Sequence, residues 1–250
     1  MAEAKITALV TGASSGLGAE YCRQLAPRCD VIIAVARRGE HLAALAGELA
    51  SQVRVEPVAA DLTSIEGVAR TLEALRQKGP ADYLVNNAGF STFGDFAAND
   101  IQDQRAMLSL HCDAVITLCR AAIPFMRERG GGHIINVSSV GAFLPGKGLA
   151  VYGATKAFLN YYSLALQAEL AGTGIRVQAL CPGYIRTGFH DEMAARGFDR
   201  QRIPAEMWSQ AQDVVAQSLA ALDGDDVLVV PGEGNLSLAR QGLQQQLDSL

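Results

Sequence analysis

The chain predicts a single α/β domain built on a doubly wound parallel sheet of about seven strands, with helices on both faces. Three observations predict it. Short β-rich runs alternate with stretches of helical periodicity from the start of the chain. Those runs are nearly continuous in apolar character, as strands buried on both faces of a parallel sheet are. A glycine-rich turn, T-G-A-S-S-G-L-G at 11–18, stands between the first run and the first helical stretch.

In order, strands are expected at 5–10 (K-I-T-A-L-V), 31–35 (V-I-I-A-V), 53–58 (V-R-V-E-P-V), 83–86 (Y-L-V-N), 133–137 (H-I-I-N-V), 175–180 (I-R-V-Q-A-L) and 227–230 (V-L-V-V). Helices are expected at 16–26, 40–50, 64–78, 104–129, 153–171 and 205–222. The stretch 188–206 breaks the rhythm and reads as an insertion between the sixth strand and the next helix. The last twenty residues read as a terminal amphipathic helix that covers either the sheet or a neighbouring subunit. No Pro/Gly/Ser linker, repeat or low-complexity tract divides the chain, so residues 1–250 are expected to form one Rossmann-type domain, with a substrate loop around 184–208.

Composition narrows the function classes. A chain of 250 residues buries a sizeable core, and 49% apolar against 19% charged residues is a globular balance. A net charge of −5 lacks the clustered Lys and Arg of a nucleic-acid footprint. No apolar run approaches a membrane span and the start M-A-E-A-K has no signal-peptide core, so a cytoplasmic protein is expected. The five cysteines (22, 29, 112, 119 and 181) form no CxxC pair and read as reduced core thiols. The four histidines (41, 111, 133 and 190) are too scattered for a zinc site, so no metal is expected.

The glycine turn suits a dinucleotide. Gly12 permits the tight turn, while Gly16 and Gly18 let backbone approach a phosphate and helix approach strand. Ser14, Ser15 and Leu17 complete the cradle, and the pyrophosphate would sit on the helix N-terminus, where free N–H groups favour an anion. At the end of the second strand, A-V-A-R-R-G-E places Arg37 and Arg38 where an NAD site carries an acid. Guanidinium groups there would pair with a 2′-phosphate, which predicts NADP(H) over NAD(H).

A second set lies further on. V-Y-G-A-T-K (151–156) opens a long helix, and Tyr152 and Lys156, four apart, share one helical face. An ammonium beside a phenol favours the phenolate. Upstream, N-V-S-S (136–139) ends the fifth strand, where α/β sheets place catalytic groups.

Together these motifs resemble the short-chain dehydrogenase/reductase family in its branch of roughly 250-residue single-domain enzymes. The match keeps the family's order over nearly the whole chain: T-G-A-S-S-G-L-G, D-L (61–62), N-N-A-G (86–89), N-V-S-S, Y-G-A-T-K and P-G-Y-I-R-T (182–187). The resemblance implies that Ser139 polarises a substrate carbonyl and that Tyr152 gives it a proton or removes one. Lys156 would lower the Tyr152 pKa and hydrogen-bond the nicotinamide ribose. Asn87, Ala88 and Gly89 would line the cofactor, Asp61 and Leu62 would flank the adenine, and Ile185 and Thr187, after Pro182–Gly183, would meet the carboxamide and nearby phosphate. Ser138, the competing serine, should alternate to the other face of its strand.

One position departs from the pattern. His111, in A-M-L-S-L-H-C-D-A-V, stands where the family carries an asparagine that holds a water of the proton relay. Three outcomes are open: His111 hydrogen-bonds the same water or backbone, it joins the relay as a titratable group, or the relay is broken. The last would make the protein a dinucleotide-binding regulator or scaffold rather than an enzyme. Otherwise the resemblance implies an NADPH-dependent carbonyl reductase or alcohol dehydrogenase.

The least family-like segments should line the substrate pocket: 91–96 with Phe93, 141–149 with Phe143 and Leu144, and 184–208 with Tyr184, Phe189, Met193, Phe198 and Trp208. They suit a hydrophobic ketone or secondary alcohol. Arg186, His190, Arg196, Arg200 and Arg202 lie in or beside the same loop, either favouring an anionic substrate group or forming a solvated face. The resemblance also implies a homodimer or homotetramer, joined through the two long helices.

Overall fold

The computed structural model describes residues 5–194 and 197–250. Seven parallel strands run β3-β2-β1-β4-β5-β6-β9 across one sheet. They are β1 Thr7–Thr11, β2 Val31–Ala36, β3 Arg54–Ala59, β4 Tyr83–Asn86, β5 Gly132–Val137, β6 Ile175–Leu180 and β9 Leu228–Val229. Chain order reverses between β1 and β4, which opens a crevice beyond the carboxyl ends of the strands.

Period-two alternation along the strands builds two cores. Ala8, Val10 and Ile32 face one way, against Tyr21 and Leu25 of α1 (Gly16–Leu25), Leu42 of α2 (Gly39–Leu49) and Val214 and Leu219 of α8 (Ala211–Ala221). Leu9, Ile33 and Ile134 face the other way. There they meet Leu75 of α3 (Ile65–Lys78), Leu118 and Met126 of α5 (Ala114–Glu128) and Leu159 of α6 (Ala150–Glu169). The expected burial on both faces fails at the edges of the sheet, where β9 is half-buried and β3 departs furthest. β3 is largely open to solvent and so accommodates Pro57, which has no N–H for a further neighbour.

Two expected helices are interrupted. The 104–129 stretch divides into α4 (Ile101–Leu108), a π turn over Ser109–Asp113, and α5. In the π turn the Ala114 N–H donates to Ser109 O, five residues back. Contrary to the expectation that no apolar run reaches the length of a membrane span, residues 101–128 do so by length and composition. The apolarity has a local cause: Met107, Val115, Leu118 and Met126 pack inside the domain. The 205–222 stretch opens with a 3-10 turn at Ala205–Met207 and is α-helical only from Ala211. Trp208–Ser209 (β8) is extended and pairs with Tyr184–Ile185 (β7), and that pairing pulls the chain out of the helix.

Inside the 188–206 insertion lie α7 (Phe189–Ala194) and a 3-10 turn at Arg200–Arg202. The terminal helix is α9 (Glu233–Asp248); it packs Ala239 and Gly242 against its own subunit, close to Phe143. Cys22, Cys29, Cys119 and Cys181 are buried free thiols and Cys112 is half-buried.

Across the first core, the fully buried Tyr21 hydroxyl donates to Ser218 Oγ at 2.6 Å. Ser218 in turn donates to Gln178 Oε1, and Gln178 Nε2 returns to Ser218 O at 3.0 Å. The chain ties α1 and α8 to β6. Tyr21→Phe is expected to lower the unfolding free energy by about 1–2 kcal/mol in urea titrations, because a buried acceptor loses its donor, while NADPH affinity holds.

Candidate active site

The glycine turn and the end of β4 meet at a distance that excludes side chains. Gly12, at φ +67°, would place a Cβ 2.6 Å from Asn87 Nδ2; one at Gly18 would lie 2.6 Å from the same atom. Asn87 Nδ2 donates to Thr11 O at 2.9 Å, and Thr11 Oγ1 accepts from Asn87 N and Ala88 N. Gly16, at φ +56°, approaches Thr187 instead. The first turn of α1 is therefore open to a phosphate.

From this junction a cleft of about 620 Å³ runs along the carboxyl edge of the sheet. All the residues expected at the cofactor line it except Gly18, which is buried behind the turn and lets α1 pack. At one end Arg37 and Arg38 are exposed, and Arg38 donates to Ser14 Oγ at 3.0 Å and Ser15 Oγ at 2.9 Å. Asp61 and Leu62 stand beside them, the Asp61 carboxylate accepting from Thr63 N and Oγ1. Pro182, Gly183, Ile185 and Thr187 line the opposite wall. The donors and the open glycine backbone fit a dinucleotide carrying a phosphate on its adenosine ribose.

At the other end Ser139, Tyr152 and Lys156 converge. Ser139 Oγ accepts from Gly141 N at 3.0 Å, capping a 3-10 turn over Val140–Ala142, and hydrogen-bonds the Tyr152 phenol. Ser138 points inward, as its alternation predicts, and donates to Lys156 O at 2.9 Å. Lys156 Nζ lies 5.6 Å from the Tyr152 ring centre and donates to Val137 O at 2.8 Å.

The protonation states differ from the sequence expectation. Burial pushes the Tyr152 phenol up to about 12, and the Ser139 hydrogen bond offsets that only in part. Burial likewise brings Lys156 down to about 8. The phenol does not lie below its ordinary value here, because desolvation opposes the phenolate.

His111 is 1% exposed and lies outside the cleft lining, behind Gly89. Its Nε2 accepts from Phe90 N at 3.3 Å, so the ring proton sits on Nδ1. Nδ1 then donates to Thr155 Oγ1 at 2.9 Å, and Thr155 Oγ1 donates to the backbone Tyr152 O at 2.8 Å. Burial and the neighbouring Lys156 hold the imidazole well below its ordinary pKa. His111 is thus a neutral group with both nitrogens engaged, not one that titrates near neutrality. Sequence reasoning missed Thr155, one turn after Tyr152 within Y-G-A-T-K, and Phe90, whose N–H carries no side-chain signature.

Around Tyr152 the substrate end is apolar and aromatic. Leu144, Tyr184, Phe189, Met193 and Phe198 line it as expected. Phe93 stands behind, edge-on to Phe198 at 5.6 Å. Phe143 turns away into the core, at 5% exposure. Trp208 packs on Tyr184 and His190, outside the lining. The arginines are engaged elsewhere: Arg186 and Arg200 lie over Trp208, Arg200 also pairs with Asp191, and Arg202 pairs with Asp199. His190 Nδ1 donates to Ile185 O at 3.3 Å, and burial lowers its pKa. Arg196 lies outside the described residues.

The sequence profile of the family described as short chain dehydrogenase matches residues 6–196. The chain belongs to that family. A "Probable NADP-dependent dehydrogenase" of Haemophilus influenzae is 36% identical, over 77% of this chain and 80% of the relative. A short-chain dehydrogenase from Sphingobium yanoikuyae, solved in complex with NADPH, superposes with a TM-score of 0.85 at 33% identity, covering 98% of this chain and 95% of that one. A "bulky-bulky ketone specific alcohol dehydrogenase" from Comamonas testosteroni gives 0.79 at 31% identity, covering 96% and 94%. The structure thus places the short-chain dehydrogenase motifs along one cleft.

His111 also leaves a mark on stability. Below about pH 6.5 the unfolded chain takes up a proton that the native imidazole refuses, so stability falls as pH drops from 6.5 toward the depressed native value. The slope contributed reaches about 1.4 kcal/mol per pH unit. Urea denaturation between pH 7.5 and 5.5 should show a shallower decline for His111→Asn. A residual slope remains, because His133 and His190 are shifted in the same direction.

Proposed function

We propose that this short-chain dehydrogenase is an NADP(H)-dependent oxidoreductase that interconverts a ketone and a secondary alcohol on an uncharged, hydrophobic small molecule. One observation carries the reading: Ser139, Tyr152 and Lys156 meet at the apolar end of a cleft whose other end presents Arg37 and Arg38. The NADP-dependent relative and the NADPH-bound neighbour support the cofactor. The neighbour described as specific for bulky-bulky ketones supports the substrate class.

The protein's part follows from its protonation states. Tyr152, held as the neutral phenol, gives its proton to the carbonyl oxygen in reduction and takes it back in oxidation. Ser139 hydrogen-bonds the same oxygen and fixes it beside the phenol. Lys156 holds the ribose and returns a proton toward Tyr152. When bound, the nicotinamide supplies or accepts the hydride at the carbonyl carbon. Lys156 is the one cationic side chain among the described residues lining the substrate end, which favours a neutral substrate over an acid.

NADPH oxidation measured over a panel of neutral and anionic ketones tests this directly. Neutral, apolar ketones are expected to turn over best. Tyr152→Phe should lose about 10²- to 10⁴-fold in kcat with NADPH binding retained, the usual worth of a general acid. Arg38→Ala should weaken NADPH far more than NADH; equal weakening would remove the 2′-phosphate assignment. Tight NADPH binding without turnover of any ketone would instead favour the regulator or scaffold.

The protein is further proposed to assemble as a homodimer or homotetramer through the long helices. Ile116 and Phe125 of α5 and Tyr161 and Leu164 of α6 are exposed apolar side chains on those helices. Tyr161→Glu with Leu164→Glu is expected to shift the protein to monomer in sedimentation analysis; an unchanged mass would exclude this face.

A further inference from the structure

Leu144 walls the substrate end of the cleft, and the groups that hold it come from the far end of the sequence. Beyond Ser139 the chain turns through Val140–Ala142 and enters the core at Phe143, which packs with Ala179, Cys181 and Ala239. The Phe143 carbonyl oxygen accepts a 2.7 Å hydrogen bond from Gln246 Nε2 on α9. One turn earlier, Gly242 lies against the same group. A Cβ there would overlap the Phe143 oxygen and stand 2.9 Å from Leu144 Cδ2. Residues 242 and 246 share a helix face, so they grip the wall together.

The start of α9 touches the opposite wall. Asn235, 5% exposed, lies so close over Gly183 that a Cβ at 183 would come within 2.6 Å of the amide carbon. Its Nδ2 donates to Pro231 O at 2.8 Å, which fixes the amide in that position. A single helix therefore bears on both Pro182–Gly183, at the cofactor, and Phe143–Leu144, at the substrate.

We propose that α9 is a positioning element of the active site, and that Gln246 and Gly242 fix the Leu144 wall and so limit the size of ketone admitted. The inference rests on the proposed reading of the cleft as a ketone site. Just past Leu144 the wall runs into Pro145, Gly146 and Lys147, all exposed, so its placement depends on what grips it before that point. Phe143 supplies burial and Gln246 supplies direction. Without the Gln246 donor the carbonyl is free to turn and Leu144 to retreat, which enlarges the pocket without touching Ser139, Tyr152 or Lys156.

The test uses Gln246→Ala and Gln246→Glu, both of which remove the donor at an otherwise exposed helix position that tolerates either side chain. Two readouts are needed: kcat/KM for a series of neutral ketones of increasing bulk, and amide hydrogen exchange over residues 143–149. The ratio of kcat/KM for bulky over small ketones is expected to rise by about fivefold, the equivalent of one net hydrogen bond. Exchange over 143–149 should quicken, with NADPH affinity unchanged. An equal loss for every ketone, or an unchanged ratio with unchanged exchange, overturns the proposal. If the unmodified protein reduces no ketone, the assigned reaction fails, and the exchange measurement still decides whether α9 holds the wall.

Discussion

Everything at the carboxyl edge of the sheet depends on how closely β1 and β4 end together. Gly12 and Gly18 stand where any side chain would strike Asn87 or the backbone beside it, and Thr11 binds the two amides that follow β4. The interaction is polar and short-ranged, and it fixes the turn relative to β5, the strand that leads to Ser139, which pairs with β4 in register from Tyr83↔His133 to Asn86↔Asn136. Beneath it, Asn86 Nδ2 donates to Asn136 Oδ1 and Asn136 Nδ2 to Ser163 Oγ, all fully enclosed. Enclosed amide networks of this kind tolerate little displacement, because a broken bond has no water to replace it. The cofactor turn, the serine strand and the tyrosine helix are thereby held as one piece.

Burial then sets the chemistry. The Tyr152 phenol, the Lys156 ammonium and the His111 imidazole are each pushed by desolvation toward their uncharged forms. The site thus keeps little charge of its own and meets the charge of a bound dinucleotide with groups that were costly to ionise. The run Phe90 N–H to His111, His111 to Thr155 and Thr155 to Tyr152 O has only one consistent direction of donation. It ties the loop after β4 to the helix that carries the phenol.

The fold and most of the candidate site's layout are legible in the sequence because they rest on local chemistry. Alternating apolar runs, the glycine spacing and the four-residue interval from Tyr152 to Lys156 all leave signs in sequence. All seven sheet strands fall within two residues of their expected limits at both ends, and β9 is the most shortened, two residues against four. What was not legible depends on distant partners. Trp208 is extended because Tyr184 pairs with it, Phe143 is inward because Ala239 covers it, and the Phe143 carbonyl beside Leu144 is held by a glutamine 103 positions later. The charge state of His111 was open for the same reason, since it follows from an N–H on Phe90 and from enclosure by separate elements. Arg186, Arg200 and Arg202, which read as candidates for an anion, are instead engaged with Trp208 and with nearby carboxylates.

The π turn at Ser109–Asp113 gives the long helix one residue more than an α-helix of the same span would hold. That surplus residue is slack. Losing one residue within the turn would restore ordinary winding and leave α4 and α5 facing the sheet as before. The same deletion elsewhere in the helix would rotate one half by about 100° against the core. Length at this point can therefore vary without repacking the domain, and the slack is placed where an imidazole reaches both Phe90 and Thr155. A helix otherwise fixed by its core contacts is adjustable at the one position that faces the site.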